Sequence, residues 1–297
     1  MPPRTHQPEP ALSLFSSICV IAGIIIGVGI YEATPDIAAS MSSSAALLGV
    51  WCIAGIISLC GALCYAELSS TYPEEGGDFV YLSRAFGPAL GFLFGWANFL
   101  IIRPGSIAAM TFPFANYFAV LCDPLARGSL ANIRITVYAV LAVIVLSLLN
   151  IIGVRFGAWT QNALTIVKVT GLLALAALAF LAPGAADALA SSTPASGFNP
   201  GLALILALFC LGGWQEICYA AAEVREPKRN LPRVLVLGTF CVTVLYLLIS
   251  AAFIHALGYT AVSASKAVAA DTLHALYGAG AAKLASLLIA VSALAAV

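Results

Sequence analysis

The chain has 297 residues, of which 62% are hydrophobic and only 9% are charged, and its formal net charge at pH 7 is zero. Soluble domains carry about 25% charged residues, so this composition excludes a soluble globular protein and indicates a polytopic membrane protein. The zero net charge also argues against a nucleic-acid partner, because such proteins present a basic surface.

Apolar runs follow one another along the chain, and a membrane span needs about 20 apolar residues. A polar tail, residues 1–11, comes first and leads into no signal-peptide cleavage site. The runs predict eight spans, at about 12–39, 44–66, 86–119, 133–154, 157–182, 201–222, 232–257 and 276–297. Residues 183–200 are rich in Ala, Ser, Pro and Gly and predict a flexible outer connector. The last run stops at Val297 without a polar flank, so we expect a fragment, or a reading frame that stopped early.

Basic residues predict the orientation of the spans, because cytoplasmic loops hold the excess of Lys and Arg. If the N-terminus lies inside, the predicted inner segments contain seven basic residues and the outer segments contain three. The inner set is Arg4, Arg84, Arg155, Arg225, Lys228, Arg229 and Arg233, and the outer set is Arg127, Arg134 and Lys266. We therefore predict a multi-pass protein of the cell membrane with a cytoplasmic N-terminus.

Glycine interrupts two of the predicted spans in matching ways. The first span contains Gly23, Gly27 and Gly29, and the sixth contains Gly212 and Gly213. Glycine weakens a helix by about 1 kcal/mol relative to alanine, and a broken backbone in lipid is tolerated only where it is buried in protein or lines a cavity. Broken spans at corresponding positions in two halves indicate a transporter's substrate site. The alternative is that the glycines only allow close helix packing, which fits Gly23 and Gly27 better than the other three.

An unwound stretch exposes backbone N–H groups and carbonyls that a continuous helix would pair. The half-helix after the break directs its positive end at the gap, which favours a carboxylate. Carbonyls freed at both breaks favour an ammonium group. Because an α-amino acid has both charges close together, two facing breaks predict a zwitterion site without any charged side chain.

Three of the charged residues within the apolar runs are candidates for a functional or structural role. Lys168 is in the fifth run, where a lysine costs about 2.5–3.5 kcal/mol on insertion scales and is usually functional. The alternative is a lysine that reaches the inner interface. Arg103 is in the third run, and its expected partner is a helix-end carbonyl or an acidic residue. Glu216 follows the second break by three residues and is a candidate for the transport pathway or an inner vestibule.

Cysteine and histidine give no sign of a chemical centre. Seven of the eight cysteines lie within apolar runs, where cysteine behaves as a small hydrophobe. The three histidines, His6, His255 and His274, are far apart in the sequence. We expect no metal site, no cofactor and no enzymatic nucleophile.

Four segments, in order, resemble the amino acid–polyamine–organocation transporters. Residues 27–31, Gly-Val-Gly-Ile-Tyr, resemble the Gly-Ser-Gly-Ile-Phe element of that family's first span. Residues 65–82 resemble its loop between the second and third spans, and residues 101–104, Ile-Ile-Arg-Pro, resemble a third-span element of the L-type amino acid transporter branch. Residues 212–232, from Gly-Gly-Trp to Arg-Asn-Leu-Pro, resemble the sixth span and its inner loop.

The resemblance implies an all-α fold of the LeuT type, with five spans plus five in inverted repeats. Residues 12–182 would form the first repeat, with its first span broken near 23–30. Residues 201–297 would form an incomplete second repeat of spans six to eight, with the sixth broken near 209–214.

The resemblance also implies a substrate site at the two breaks. The carboxylate would meet N–H groups around Val28 and Gly29, and the ammonium would meet carbonyls near Ile25, Phe209 and Gly212. Gly27 belongs to the same substrate site, in the first break. Gly213 belongs to the second break, and Trp214 lies beside the pocket as part of a gate. Val28 departs from the family pattern, which often has serine there. Lys168 resembles the built-in cation of sodium-independent members, as a fixed strut or a proton carrier.

The sequence therefore predicts a sodium-independent secondary transporter of amino acids, a permease or exchanger, that works by alternating access. Its partners would be the amino acid substrate and the lipid bilayer, and no protein partner is indicated. An amine or polyamine carrier of the same superfamily is one alternative. A truncated, non-transporting remnant or a sensor is another.

Overall fold

The computed structural model describes residues 12–122, 133–152, 154–184 and 197–296. The predicted tail, residues 1–11, and most of the predicted connector 183–200 lie outside the described residues. The described part is all-α. Its helices are α1 Leu14–Ile25, α2 Gly29–Ala39, α3 Ser44–Thr71, α4 Asp78–Phe86, α5 Pro88–Ala97, α6 Arg103–Leu121, α7 Arg134–Ile152, α8 Val154–Leu181, α9 Pro200–Cys210, α10 Pro227–Leu257, α11 Tyr259–Ala264, α12 Val268–Tyr277 and α13 Ala279–Leu294. A π-helical turn, Asn98–Ile102, joins α5 to α6, and a 3₁₀ helix, Trp214–Glu223, follows α9.

Five segments of the described part are long and apolar enough to cross a membrane, and a sixth results if α1 and α2 count as one bent span. The five are Ser44–Thr71, Pro88–Leu121, Trp159–Leu181, Pro200–Glu223 and Pro227–Leu257. Two shorter apolar helices, Arg134–Leu149 and Lys283–Leu294, lie within α7 and α13. An all-α, multi-pass membrane protein is therefore supported by length and composition, while the count of eight spans stays a prediction.

Polar caps explain where three of the helices begin. The Ser13 hydroxyl accepts a hydrogen bond from a first-turn N–H of α1, and Ser43 does the same for α3. Asn199 caps α9, and Pro200 occupies the first helical position, where its missing N–H costs no hydrogen bond. Because helix ends leave backbone donors unpaired, these side chains fix the starts of α1, α3 and α9.

The helices pack in two groups. The first, named here the broken-helix group, contains α1, α2, α3, α9, the 3₁₀ helix and α10, with α10 packed along α3 and α1. The second, the α6 group, contains α6 with α7 and α13 packed against it. Helix α8 contacts members of both groups. The buried core centres on the broken-helix group, where the ring of Trp51 packs edge-on against Tyr246 at 5.3 Å between centroids.

A backbone clamp joins the start of α1 to the end of the 3₁₀ helix. The Leu12 N–H donates to the Glu223 carbonyl at 2.9 Å, and the Arg225 N–H donates to the Leu12 carbonyl at 3.0 Å. These bonds make a short parallel bridge between Leu12 and Val224. The first half of the first broken helix and the second half of the other are therefore tied at one end of the molecule.

Candidate functional site

The first break lies between α1 and α2, which are bent by 48° relative to each other. Helix α1 ends at Ile25 and α2 begins at Gly29. The N–H groups of Val28, Gly29 and Ile30 have no acceptor among the described residues. They form the positive end of α2, so they present three donors and a favourable dipole to an anion.

Lys168 binds carbonyl groups of the first break. It is fully buried, and its Nζ donates to the carbonyls of Ile26 at 2.6 Å, Gly23 at 2.7 Å and Ser292 at 3.3 Å. Three carbonyl acceptors match the three hydrogens of an ammonium group. The Ser292 hydroxyl also lies 3.0 Å from the Gly27 carbonyl, to which it donates. Thus α8 and α13 fix the unwound segment through its carbonyls.

The Ile25 carbonyl is already occupied in this conformation. It accepts the Tyr246 hydroxyl at 2.9 Å and the Gly27 N–H at 2.9 Å, which uses both of its lone pairs. The neighbouring carbonyl of Ile24 has no donor among the described residues, and Ile24 lines the cavity described below. The sequence predicted the Ile25 carbonyl rather than that of Ile24, because the hydroxyl that occupies the Ile25 carbonyl belongs to Tyr246, 221 residues away.

The second break lies between α9 and the 3₁₀ helix. Helix α9 ends at Cys210, and the 3₁₀ helix begins at Trp214. Gly213 has φ +97°, and a Cβ there would lie 2.9 Å from Ile24 Cγ2, so both its backbone angle and its surroundings require glycine. The Gly212 carbonyl has no donor among the described residues. Phe209 is 71% exposed, and its carbonyl, which the sequence predicted for the ammonium, already accepts the Gly212 N–H at 3.2 Å.

The two breaks touch each other. A Cβ added to Gly29 would lie 2.7 Å from Cys210 Sγ and 3.5 Å from Cys210 Cα, so only glycine allows this approach. Both breaks line one cavity of about 860 Å³ that extends to Leu12 and Glu223 at the backbone clamp. The predicted site residues in its lining are Ile25, Gly27, Gly29, Phe209, Gly212, Gly213 and Glu216. Val28 is buried beside it, and Lys168 lies behind the first break.

Trp214 is held at the start of the 3₁₀ helix by α3. Its ring packs edge-on against Tyr65, with 5.1 Å between centroids. A Cβ on Gly61 would lie 2.8 Å from the same ring, so this glycine makes room for the indole. Trp214 therefore lies against α3 and borders the second break.

Asp78 joins three elements on the same side of the molecule. Its carboxylate accepts the Tyr65 hydroxyl of α3 at 2.5 Å and the Tyr219 hydroxyl of the 3₁₀ helix at 2.9 Å. Asp78 itself begins α4. Tyr81, also in α4, packs edge-on against Tyr65 at 5.8 Å, and burial raises the pKa of the Tyr81 hydroxyl. No local sequence pattern indicates these contacts, because the partner on the 3₁₀ helix is 141 residues away from Asp78.

Arg103 and Glu216 form an ion pair in the wall of the cavity. An acidic partner for Arg103 was one of the two that the sequence suggested. The guanidinium also lies over the Tyr219 ring, 4.9 Å from its centroid, and both Arg103 and Glu216 line the cavity. Neither side chain is fully buried, with exposed fractions of 42% for Arg103 and 21% for Glu216. A molecule inside the cavity can therefore contact both charges.

Metal-binding clusters are absent from the described part of the chain. No group of three or more His, Cys, Asp or Glu side chains there is placed to hold a metal ion.

Comparison with known proteins finds similarity to amino acid permeases. The family model described as amino acid permease matches residues 12–297. The b(0,+)-type amino acid transporter 1 of Mus musculus is 32% identical over 275 residues, which cover 90% of this chain and 55% of the relative. The large neutral amino acids transporter small subunit 2 of Homo sapiens is 30% identical over 266 residues, 87% of this chain and 49% of the relative.

A bacterial relative matches over a similar extent. The serine/threonine exchanger of Bacillus subtilis is 29% identical over 246 residues, which cover 83% of this chain and 55% of the relative. The chain spans about half the length of the curated relatives it matches.

Proposed function

The chain belongs to the amino acid permease family, and on this premise we propose a secondary transporter that moves amino acids across the cell membrane by alternating access. The observation that supports this most directly is the meeting of two helix breaks in one cavity. One break offers unpaired N–H donors and the other an unpaired carbonyl, which is the arrangement that a zwitterion requires.

The substrate's two charges would bind side by side, where the two breaks meet. The carboxylate lies at the N–H groups of Val28 and Gly29, at the positive end of α2. The ammonium would bind the carbonyls of Ile24 and Gly212, which belong to the two breaks and are both lining residues of the cavity. Valine at position 28 removes the hydroxyl that many family members have there, but the backbone donors remain.

The contacts of Lys168 support sodium independence. A sodium ion beside the first break would be bound by the carbonyls of the unwound segment and of α13. The Lys168 ammonium already engages three such carbonyls, those of Gly23, Ile26 and Ser292. The cation that stabilises the break is therefore part of the protein.

Alternating access would be a movement of the broken-helix group against the α6 group, with 12–182 and 201–297 as parts of two inverted repeats. The backbone clamp at Leu12 and Val224 makes the inner halves of both broken helices move together. With a cytoplasmic N-terminus, the cavity extends from the substrate site to the cytoplasmic ends of these helices.

The test is uptake of radiolabelled amino acids by the full-length protein in proteoliposomes, preloaded with unlabelled amino acids or empty. We expect uptake or exchange in sodium-free buffer. If no amino acid is taken up or exchanged, the transport function is wrong, and a remnant or a sensor becomes the better interpretation. If uptake requires sodium, the role of Lys168 is wrong while amino acid transport stands.

The amine carrier is the weaker alternative. An amine without a carboxylate would leave the N–H groups of Val28 and Gly29 unpaired, and it would need a free carboxylate near the breaks. Glu216, three residues after the second break, is already neutralised by Arg103, and Glu32, in the first turn of α2, is not among the residues that line the cavity.

A further inference from the structure

We propose that Arg103 and Glu216 act as a charge filter that restricts the substrate to amino acids with uncharged side chains. This inference rests on the proposed transport function and adds the substrate class to it. It assigns a specificity role to a pair that lies beside the backbone groups expected to bind the α-carboxylate and the α-ammonium.

The filter lies where a substrate side chain would extend. Glu216 comes three residues after Gly213, and a 3₁₀ helix rises about 2.0 Å per residue, so it is about 6 Å along the helix axis from the break. The charged residues in the cavity lining are Arg103, Glu216 and Glu223. Glu223 lies at the far end, where its carbonyl accepts the Leu12 N–H. Within the described residues, the wall next to the breaks therefore has one positive and one negative side chain.

The two charges come from different helix groups. Arg103 begins α6, and Glu216 is on the 3₁₀ helix of the broken-helix group. Arg103 is positioned by the π-helical turn that precedes it and by the Tyr219 ring beneath its guanidinium. The pair is thus presented to the cavity by two separate elements, and its net charge is zero.

A charged substrate side chain disturbs this balance whichever sign it has. A cationic side chain that binds Glu216 competes with Arg103 for the carboxylate and lies next to the like charge of a partly buried guanidinium. An anionic side chain that binds Arg103 likewise competes with Glu216 and lies next to the like charge of its carboxylate. A neutral side chain leaves the pair intact, and a hydroxyl or amide can still accept from the remaining guanidinium N–H groups. Discrimination therefore comes from a penalty on the wrong substrate as well as from contacts to the right one.

Removing one partner should change the preference in a predictable direction. In Arg103→Gln, Glu216 becomes a lone carboxylate and attracts cationic side chains. In Glu216→Gln, Arg103 becomes a lone guanidinium and attracts anionic ones. If the pair is only a strut between helix groups, both variants change rate or stability but leave the relative preference among substrates unchanged.

The experiment measures competition by lysine, glutamate and glutamine against uptake of a labelled neutral amino acid, with the full-length protein in proteoliposomes. In the parent protein, glutamine should compete at least about tenfold better than lysine or glutamate. Relative to glutamine, lysine should gain at least about tenfold in Arg103→Gln, and glutamate should gain as much in Glu216→Gln, because each variant leaves one unpaired charge. The exposed pair Glu74 and Arg84 supplies the matched controls, since Glu74→Gln and Arg84→Gln should leave all ratios unchanged.

Each outcome decides for or against the filter. Ratios that stay within about twofold of the parent in both variants, with glutamine still transported, overturn the filter and leave amino acid transport intact. A parent protein that takes up no amino acid overturns the transport function and the filter with it. If either single variant is inactive, the double variant Arg103→Gln/Glu216→Gln replaces it. There, both lysine and glutamate should gain relative to glutamine, and unchanged ratios contradict the filter.

Discussion

Replacing Lys168 with methionine removes the cation that supports the first break while keeping a long unbranched side chain. Three carbonyls lose a donor, those of Gly23, Ile26 and Ser292. The single Ser292 hydroxyl hydrogen is shared between the Gly27 carbonyl at 3.0 Å and the Ile26 carbonyl at 3.3 Å, so the Ile26 carbonyl keeps a shared donor and the other two buried carbonyls are left unpaired. At about 1–3 kcal/mol for each, the penalty on this arrangement of the break is about 2–6 kcal/mol. The methionine variant no longer buries an ammonium group in the folded state, and this gain in folding free energy offsets part of the cost.

The effect should therefore appear in substrate binding and transport more than in overall stability. Since about 1.4 kcal/mol corresponds to a factor of ten, we expect Lys168→Met to lower initial uptake or substrate affinity at least about tenfold. The assay is uptake in proteoliposomes, together with thermal unfolding in detergent. Lys283→Met is the matched control, because Lys283 is exposed on α13. Uptake within twofold of the parent by Lys168→Met would refute the reasoning that the ammonium supports the site.

Two further changes test the contacts at the breaks. Gly29→Ala should abolish substrate binding, because its Cβ would lie 2.7 Å from Cys210 Sγ. The control Gly105→Ala should bind substrate normally, because no atom lies within 4 Å of the added Cβ. Equal binding of substrate by both variants would contradict the close approach of the two breaks. Tyr246→Phe should lower the free energy of unfolding by about 0.5–1.5 kcal/mol, because the Ile25 carbonyl keeps the Gly27 N–H. Thermal unfolding measures this, and no loss at all would mean that the Tyr246 hydrogen bond contributes nothing.

The positions of the helix breaks could be predicted because their cause is local. Glycine weakens a helix wherever the residue stands, and the helices end at Ile25 and Cys210, within the two glycine stretches. Lys168 was also visible in the sequence, since a lysine in an apolar run needs a polar partner. The burial and the contacts of Lys168 agree with such a partner, while its role in transport stays a proposal.

The partners of these residues could not be predicted, because they come from distant parts of the chain. The Tyr246 hydroxyl reaches Ile25 across 221 residues, and Glu216 pairs with Arg103 across 113. No local pattern indicates such pairs. They exist because the packing of α10 on α1, and of the 3₁₀ helix beside the cavity, brings the groups together. The same packing leaves the Ile24 carbonyl, rather than that of Ile25, available to a ligand.

The π-helical turn before Arg103 was missed for a different reason. Residues 98–102, Asn-Phe-Leu-Ile-Ile, have the composition of an ordinary apolar helix. One extra residue in the turn rotates every later side chain relative to the start of the helix. The direction of Arg103 toward the cavity therefore depends on backbone geometry that the residue types do not reveal.

The central claim is that the two breaks form one site for a zwitterion, and one competition measurement tests it directly. A transported neutral amino acid is compared with the amine that lacks its carboxylate and with the acid that lacks its ammonium, as inhibitors of labelled uptake in proteoliposomes. Because hydrogen bonds to charged groups are worth about 1.5–3 kcal/mol, each analogue should inhibit at least about tenfold more weakly than the amino acid. If the amine inhibits as well as the amino acid, the N–H groups of Val28 and Gly29 do not bind a carboxylate, and the claim is wrong.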